Sequence, residues 1–147
     1  MRIFLAGCWF TLLSVLVVSC GAGNGANADG KAAMTDTAHF TTIEWLDSLS
    51  RNYGTIVEGE KLNVTFRFRN IGNTPLVIGR VQPSCGCTIA EQPQKPVAPG
   101  EESQIRATFN SQGRWGLNHK TLFVDANTRG VQHYSLQFLV QVDKKPS

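Results

Sequence analysis

Two cysteines separated by one residue, Cys85-Gly86-Cys87, offer the clearest chemistry in the sequence. At that spacing their Cα atoms lie at most about 7 Å apart, and a disulfide needs about 4.4–6.8 Å. Three kinds of chemistry fit. A bridged pair, or a buried and inert one, pins the loop that holds it. Two free thiolates bind a soft ion, and Cu(I) suits sulfur ligands. A small, strained ring exchanges with other thiols more readily than a structural disulfide does. Zinc fits poorly, because it takes four ligands and His39, His119 and His133 are far from the pair in sequence. Metal or redox work therefore falls to Cys85 and Cys87 alone. No catalytic residue can be nominated: the chain has no HExxH, no paired CxxC, no glycine-rich nucleotide loop and no GxSxG elbow. Fourteen Lys and Arg against eleven Asp and Glu give a net charge of +3. That is too mild, and too scattered, for a nucleic-acid binder.

The other two cysteines lie near the amino terminus. Arg2 is followed by an apolar run from Ile3 to Val18, then Ser19 and Cys20. A charged start, an apolar stretch and a small residue are the anatomy of a secretory signal. The run falls short of the roughly 20 residues of a membrane span. Val17-Val18-Ser19-Cys20 resembles a bacterial lipobox of the looser type found in Bacteroidetes. The resemblance implies a signal peptide over residues 1–19, cleavage after Ser19, and lipidation of Cys20. Cys8 would leave with the signal. Gly21, rather than Asp, follows the cysteine, which favours the outer membrane, and no acidic cluster follows it, which favours the periplasmic face.

Residues 20–38 read as the lipidated cysteine and a flexible linker. Gly21–Ala38 is rich in Gly, Ala, Asn and Asp with one large apolar residue, Met34. Such a stretch cannot bury enough surface to fold, and as a Gly-rich coil it spans roughly 23–25 Å.

The elements that must position the cysteines are strands. In residues 39–147 the apolar period is two. Leu62, Val64, Phe66 and Phe68 alternate with Asn63, Thr65, Arg67 and Arg69, the mark of a strand with one buried face. Ile105, Ala107 and Phe109 repeat it, as do Tyr134, Leu136, Phe138, Val140 and Val142. Leu76–Ile78 and Leu122–Val124 are shorter runs of the same kind. Thr42–Tyr53 fits two patterns: a short helix with Ile43, Leu46, Leu49 and Tyr53 on one face, or an edge strand at Thr42–Trp45 followed by a loop, and the strand is favoured. Gly72 is expected at a positive φ, and Pro75 presets the next strand. With turn signals at short intervals, the domain is all-β: an antiparallel β-sandwich of about seven strands. Trp45, Trp115 and Tyr134 would form a docking patch if they met on one surface; packing into core and loops is the simpler expectation.

Four segments together resemble one bacterial family, the domain of unknown function 1573. They are Tyr53-Gly54-Thr55-Ile56-Val57-Glu58-Gly59-Glu60, Phe66–Ile78 with its Asn70-Ile71-Gly72 turn, Pro83-Ser84-Cys85-Gly86-Cys87-Thr88, and Val97-Ala98-Pro99-Gly100-Glu101. They occur in the family's order across about residues 42–142. Asn52-Tyr53 departs from the family's usual Asp-Phe, which puts an Asx-type turn contact in doubt. The resemblance implies an immunoglobulin-like sandwich akin to Hydin-type and pilus-chaperone domains, and no enzymatic activity. The expected role is a cell-envelope lipoprotein, held to the membrane by Cys20, that binds or scaffolds an envelope protein and not nucleic acid. The alternative is a thiol-based Cu(I) or redox protein working through Cys85 and Cys87.

Overall fold

The computed structural model describes residues 36–146. The expected signal peptide, Cys8, Cys20 and most of the expected linker fall outside the described residues.

After a 3-10 turn at Thr37–His39 the described residues form eight strands. They are β1 (Ile43–Trp45), β2 (Ser50–Val57), β3 (Lys61–Asn70), β4 (Ile78–Pro83), β5 (Thr88–Glu91), β6 (Glu102–Asn110), β7 (Gly116–Ala126) and β8 (His133–Asp143). One sheet runs β1-β3-β6-β5 and the other β2-β8-β7-β4. The sandwich is the expected one, with one more strand than the alternation shows. Every pairing is antiparallel except β2 with β8, which is parallel.

The inner faces follow the two-residue period. Val64, Phe66, Phe68, Ile105 and Phe109 from the first sheet meet Leu122, Val124, Leu136, Phe138 and Val140 from the second, all fully buried. Each such side chain contributes about 1.5–3 kcal/mol on leaving water. Phe109 and Phe138 meet edge to face with centroids 6.1 Å apart, joining the sheets at mid-core.

Two expectations change. Leu76 does not begin β4; it forms an isolated bridge with Val97, and the strand starts at Ile78. Gly72 does not adopt a positive φ. It is needed for space: a Cβ there would stand 2.1 Å from Thr41 Oγ1 and 2.6 Å from Thr42 N. The Asx contact placed in doubt at Asn52 is present, since Gly54 N donates to Asn52 Oδ1 at 2.9 Å. It shapes the bulge that separates Asn52 from Thr55 in the β2–β8 register.

The strands give the sandwich two poles. One holds residues 36–42, the β3–β4 and β5–β6 connections and the β7–β8 loop. Thr41 bridges Thr128 there, and the Asn127 side chain donates to His39 O and Pro75 O. The other holds the Glu58–Glu60 turn, the β4–β5 loop with both cysteines, the Ser111–Trp115 loop and Lys144. Ser111, fully buried, closes this second pole by accepting from Gly59 N at 2.9 Å and donating to Glu60 O at 2.7 Å. Ten residues of β3 separate the poles by about 30 Å.

Candidate functional site

Residues 84–87 carry the chain from β4 in one sheet to β5 in the other. Both ends of this crossover are tied to the strands they leave and join. Ser84 N donates to Thr121 O at 2.8 Å, and Ser84 Oγ accepts from Thr121 N at 3.2 Å. Cys87 O accepts from Asn110 N at 2.9 Å, and Thr88 N donates to Cys85 O at 3.3 Å. Between these ties Cys85 and Cys87 are joined by a disulfide, with Cα atoms 5.3 Å apart. Both cysteines are half-buried, and Cys87 packs against the core. A Cβ built on Gly86 meets no atom within 4 Å, so the tip of the loop faces open space.

Thr88 is the residue beside the pair that sequence reasoning missed. It is 3% exposed, and its Oγ1 lies 3.7 Å from Cys85 Sγ. A disulfide sulfur has no proton, so the hydroxyl is the donor. The signal was in the sequence as the Thr that ends Ser84-Cys85-Gly86-Cys87-Thr88, three positions after the first cysteine.

Lys120 reaches the same pole from the inner face of β7. Its Nζ stands 5.5 Å from the Phe109 ring centroid, and Phe109 is the cross-strand partner of Thr88. Burial and the nearby Arg114 lower the Lys120 pKa.

The histidines stay apart from one another. His39 pairs with Asp36 at 2.9 Å, His133 with Asp125 at 2.7 Å, and His119 faces Gln137 at 3.3 Å, all on the surface. Among the described residues no three His, Cys, Asp or Glu side chains gather as metal ligands. Copper ligation would need the cysteines as thiolates, so it is chemistry of the reduced pair only.

The aromatic residues divide between core and surface. Trp45 packs edge-on to Phe68 and Tyr134, with centroids 5.6 and 5.4 Å away. Trp115 lies at the disulfide pole, 64% exposed, with Lys144 Nζ 4.8 Å from its ring centroid. The three therefore make no common patch. Trp115 shares this pole with Leu117, 71% exposed, two positions on in the chain, and with Val57, exposed at the end of β2 where its β8 partner is Asp143. Two surface depressions of about 90 and 240 Å³ lie along β5 and β6, away from the cysteines. Both are smaller than the roughly 300–1,000 Å³ of small-molecule sites.

The comparisons with known proteins bear on the fold. A protein of unknown function from Porphyromonas gingivalis W83 superposes with a TM-score of 0.63 at 17% identity, over 72% of this chain and 49% of that one. The secreted serine protease VesC from Vibrio cholerae gives 0.54 at 14% identity, over 72% of this chain and 24% of that one. The human CEP192 ASH/PapD-like domain gives 0.56 at 14% identity, over 90% of this chain and all of that one. The chain thus spans about half of the Porphyromonas protein and a quarter of the protease. No curated protein matches the sequence. The model of the family described as "Protein of unknown function (DUF1573)" matches residues 43–142, and the chain belongs to that family.

Proposed function

We propose that this DUF1573 member is a cell-envelope lipoprotein, anchored through Cys20 at the outer membrane and facing the periplasm. Its sandwich binds an envelope protein non-catalytically. The observation that carries the reading is the division between the poles. The described chain begins at one pole, where its first residues are locked to the sandwich by Thr41 and Asn127. At the other pole Trp115 and Leu117 are exposed, as is Val57 at the end of β2, with Lys144 over the Trp115 ring. Exposed Trp among apolar and basic groups has the composition of a protein contact, where aromatic anchors carry most of the binding energy. The ASH/PapD-like likeness, at 14% identity, speaks for the sandwich fold.

A photocrosslinking side chain at position 115, introduced into the membrane-bound chain, tests the contact. A discrete adduct with one envelope protein is expected from position 115 and not from position 80 on β4. Equal labelling from both positions would refute the reading, as would no adduct at all. The anchor has its own measurement: radiolabelled fatty acid enters the wild type and not Cys20→Ala.

A further inference from the structure

We infer that Cys85 and Cys87 form a thiol–disulfide exchange site in which Thr88 stabilises the thiolate of Cys85. The inference stands apart from the binding role and does not depend on it.

Two features of the loop carry it. The crossover is tied at Ser84 and Cys87 by backbone hydrogen bonds to Thr121 and Asn110. Opening the disulfide therefore leaves both ends of the loop in place, and the pair can close again without refolding. The second feature is the Thr88 hydroxyl. It is buried and aimed at Cys85 Sγ, and that sulfur is its hydrogen-bond partner among the described residues. A neutral disulfide sulfur accepts a hydrogen bond weakly. A thiolate accepts one strongly, because hydrogen bonds to ionised acceptors are about twice as strong as neutral ones. The hydroxyl is thus better matched to the open pair than to the closed one. Lys120 adds a positive charge at the same end of the sandwich, over the ring that faces Thr88, and nearby cations favour the thiolate.

The co-reactant is a thiol. Its thiolate attacks Cys87 Sγ, forming a mixed disulfide and breaking the Cys85–Cys87 bond. The electron pair leaves on Cys85 Sγ, where the Thr88 O–H donates. A second thiolate attacks the thiol-derived sulfur of the mixed disulfide and releases Cys87 as thiolate. The products are the co-reactant's disulfide and, after Cys87 takes up one proton, the reduced pair with Cys85 held as the thiolate by the Thr88 hydroxyl. Two thiols are oxidised and one protein disulfide is reduced. Run backwards, the same steps make the reduced pair a reductant of an external disulfide.

The test equilibrates the full chain with mixtures of reduced and oxidised glutathione, traps free thiols by alkylation and counts adducts by mass. The wild-type pair is expected to titrate between the closed and the doubly alkylated form within millimolar glutathione. Thr88→Val keeps the side chain's shape and removes the hydroxyl. It should shift the equilibrium about tenfold or more towards the disulfide, the scale of a lost charge-assisted hydrogen bond. Tenfold corresponds to about 30 mV for this two-electron couple. Thr88→Ser should restore the wild-type value, and Lys120→Met should shift it in the same direction as Thr88→Val. A disulfide that resists millimolar glutathione would overturn the inference. So would a Thr88→Val equilibrium constant within twofold of wild type, because that variant changes only the proposed donor. A Thr88→Ser value that stays with Thr88→Val would overturn it too, by tracing the shift to packing.

Discussion

Gly72→Ala should be among the most damaging small substitutions in the domain, and the reason is contact rather than backbone conformation. The β3–β4 connection passes over the residues that precede β1. A Cβ at position 72 would lie 2.1 Å from Thr41 Oγ1, 2.6 Å from Thr42 N and 3.1 Å from Thr41 Cβ. The hydroxyl can retreat only by giving up its 2.8 Å bond to Asn70 Oδ1, and Thr41 and Asn70 are both buried. The Thr42 nitrogen is main chain, and Thr42 O is held by Ile71 N at 2.9 Å. Overpacking of this kind costs about 1–3 kcal/mol, and a buried polar group left short of a partner about 1–3 kcal/mol more. The expected loss is therefore on the order of 2–6 kcal/mol, a large part of the roughly 5–15 kcal/mol of a whole domain. Gly100→Ala is the control. Gly100 has φ +82° and open space around its would-be Cβ, so only the left-handed backbone penalty of about 1–2 kcal/mol applies. Urea unfolding followed by tryptophan fluorescence measures both, because Trp45 reports the packing of Phe68 and Tyr134. Thr41→Ala combined with Gly72→Ala should lose less than the sum of the two, since both remove the same hydroxyl contact. If Gly72→Ala loses no more than Gly100→Ala, the close approach is wrong and so is the role given to this glycine.

Other outcomes follow from single contacts. Tyr53→Phe should be neutral or gain up to about 1 kcal/mol in the same unfolding assay, because the Tyr53 hydroxyl is buried without a partner while the ring keeps its edge contact with Phe138. Asp47 is held down to a pKa of about 2 by the Arg67 guanidinium and the Arg67 N–H. Its folded pKa lies below the unfolded 3.8, so its stabilisation is full above about pH 4 and fades as pH falls towards 2. The exposed Arg67 side of the pair limits this to about 0.5–1 kcal/mol, and Asp47→Asn should remove that part of the acid slope in unfolding measured from pH 2 to 5. Cu(I) titration of the oxidised chain, read by competition with a chromophoric chelator, should show no uptake at the pair, and any uptake should appear only after reduction and vanish in Cys85→Ser/Cys87→Ser.

Which strands could be read from the sequence depended on whether their inward residues were apolar. β3, β6 and β8 alternate cleanly because every second residue enters the core. The first half of β7 escapes because its inward positions are Gly116, Asn118 and Lys120, which fill the disulfide pole rather than the apolar centre. β5 reads backwards: Thr88 is buried while Ile89 is 70% exposed. β2 loses its period at the Asn52–Thr55 bulge, which changes the phase between Tyr53 and Ile56. The cysteine pair was legible because its geometry is local. Thr88 stood in the same motif, but the aim of its hydroxyl at Cys85 was not legible, because it depends on the turn that Thr88 N makes back to Cys85 O.

The contrast between the poles has a mechanical side. Asn127 accepts from Val77 N and donates to His39 O and Pro75 O, so one buried amide joins the amino-terminal segment to two connections. Asn70 does the same work beside it, donating to Thr74 O and Val97 O and accepting from Thr41 Oγ1 and Gly72 N. Buried amides whose partners lie on several segments are costly to pull apart, since each broken bond strands a polar group away from water. A pull on the chain at residue 36 would meet these networks before it reached the strands. An anchor at Cys20 would therefore load the pole built to resist it. The disulfide, Trp115 and Leu117 sit about 30 Å beyond, where contact with a partner or a thiol leaves the anchored end undisturbed.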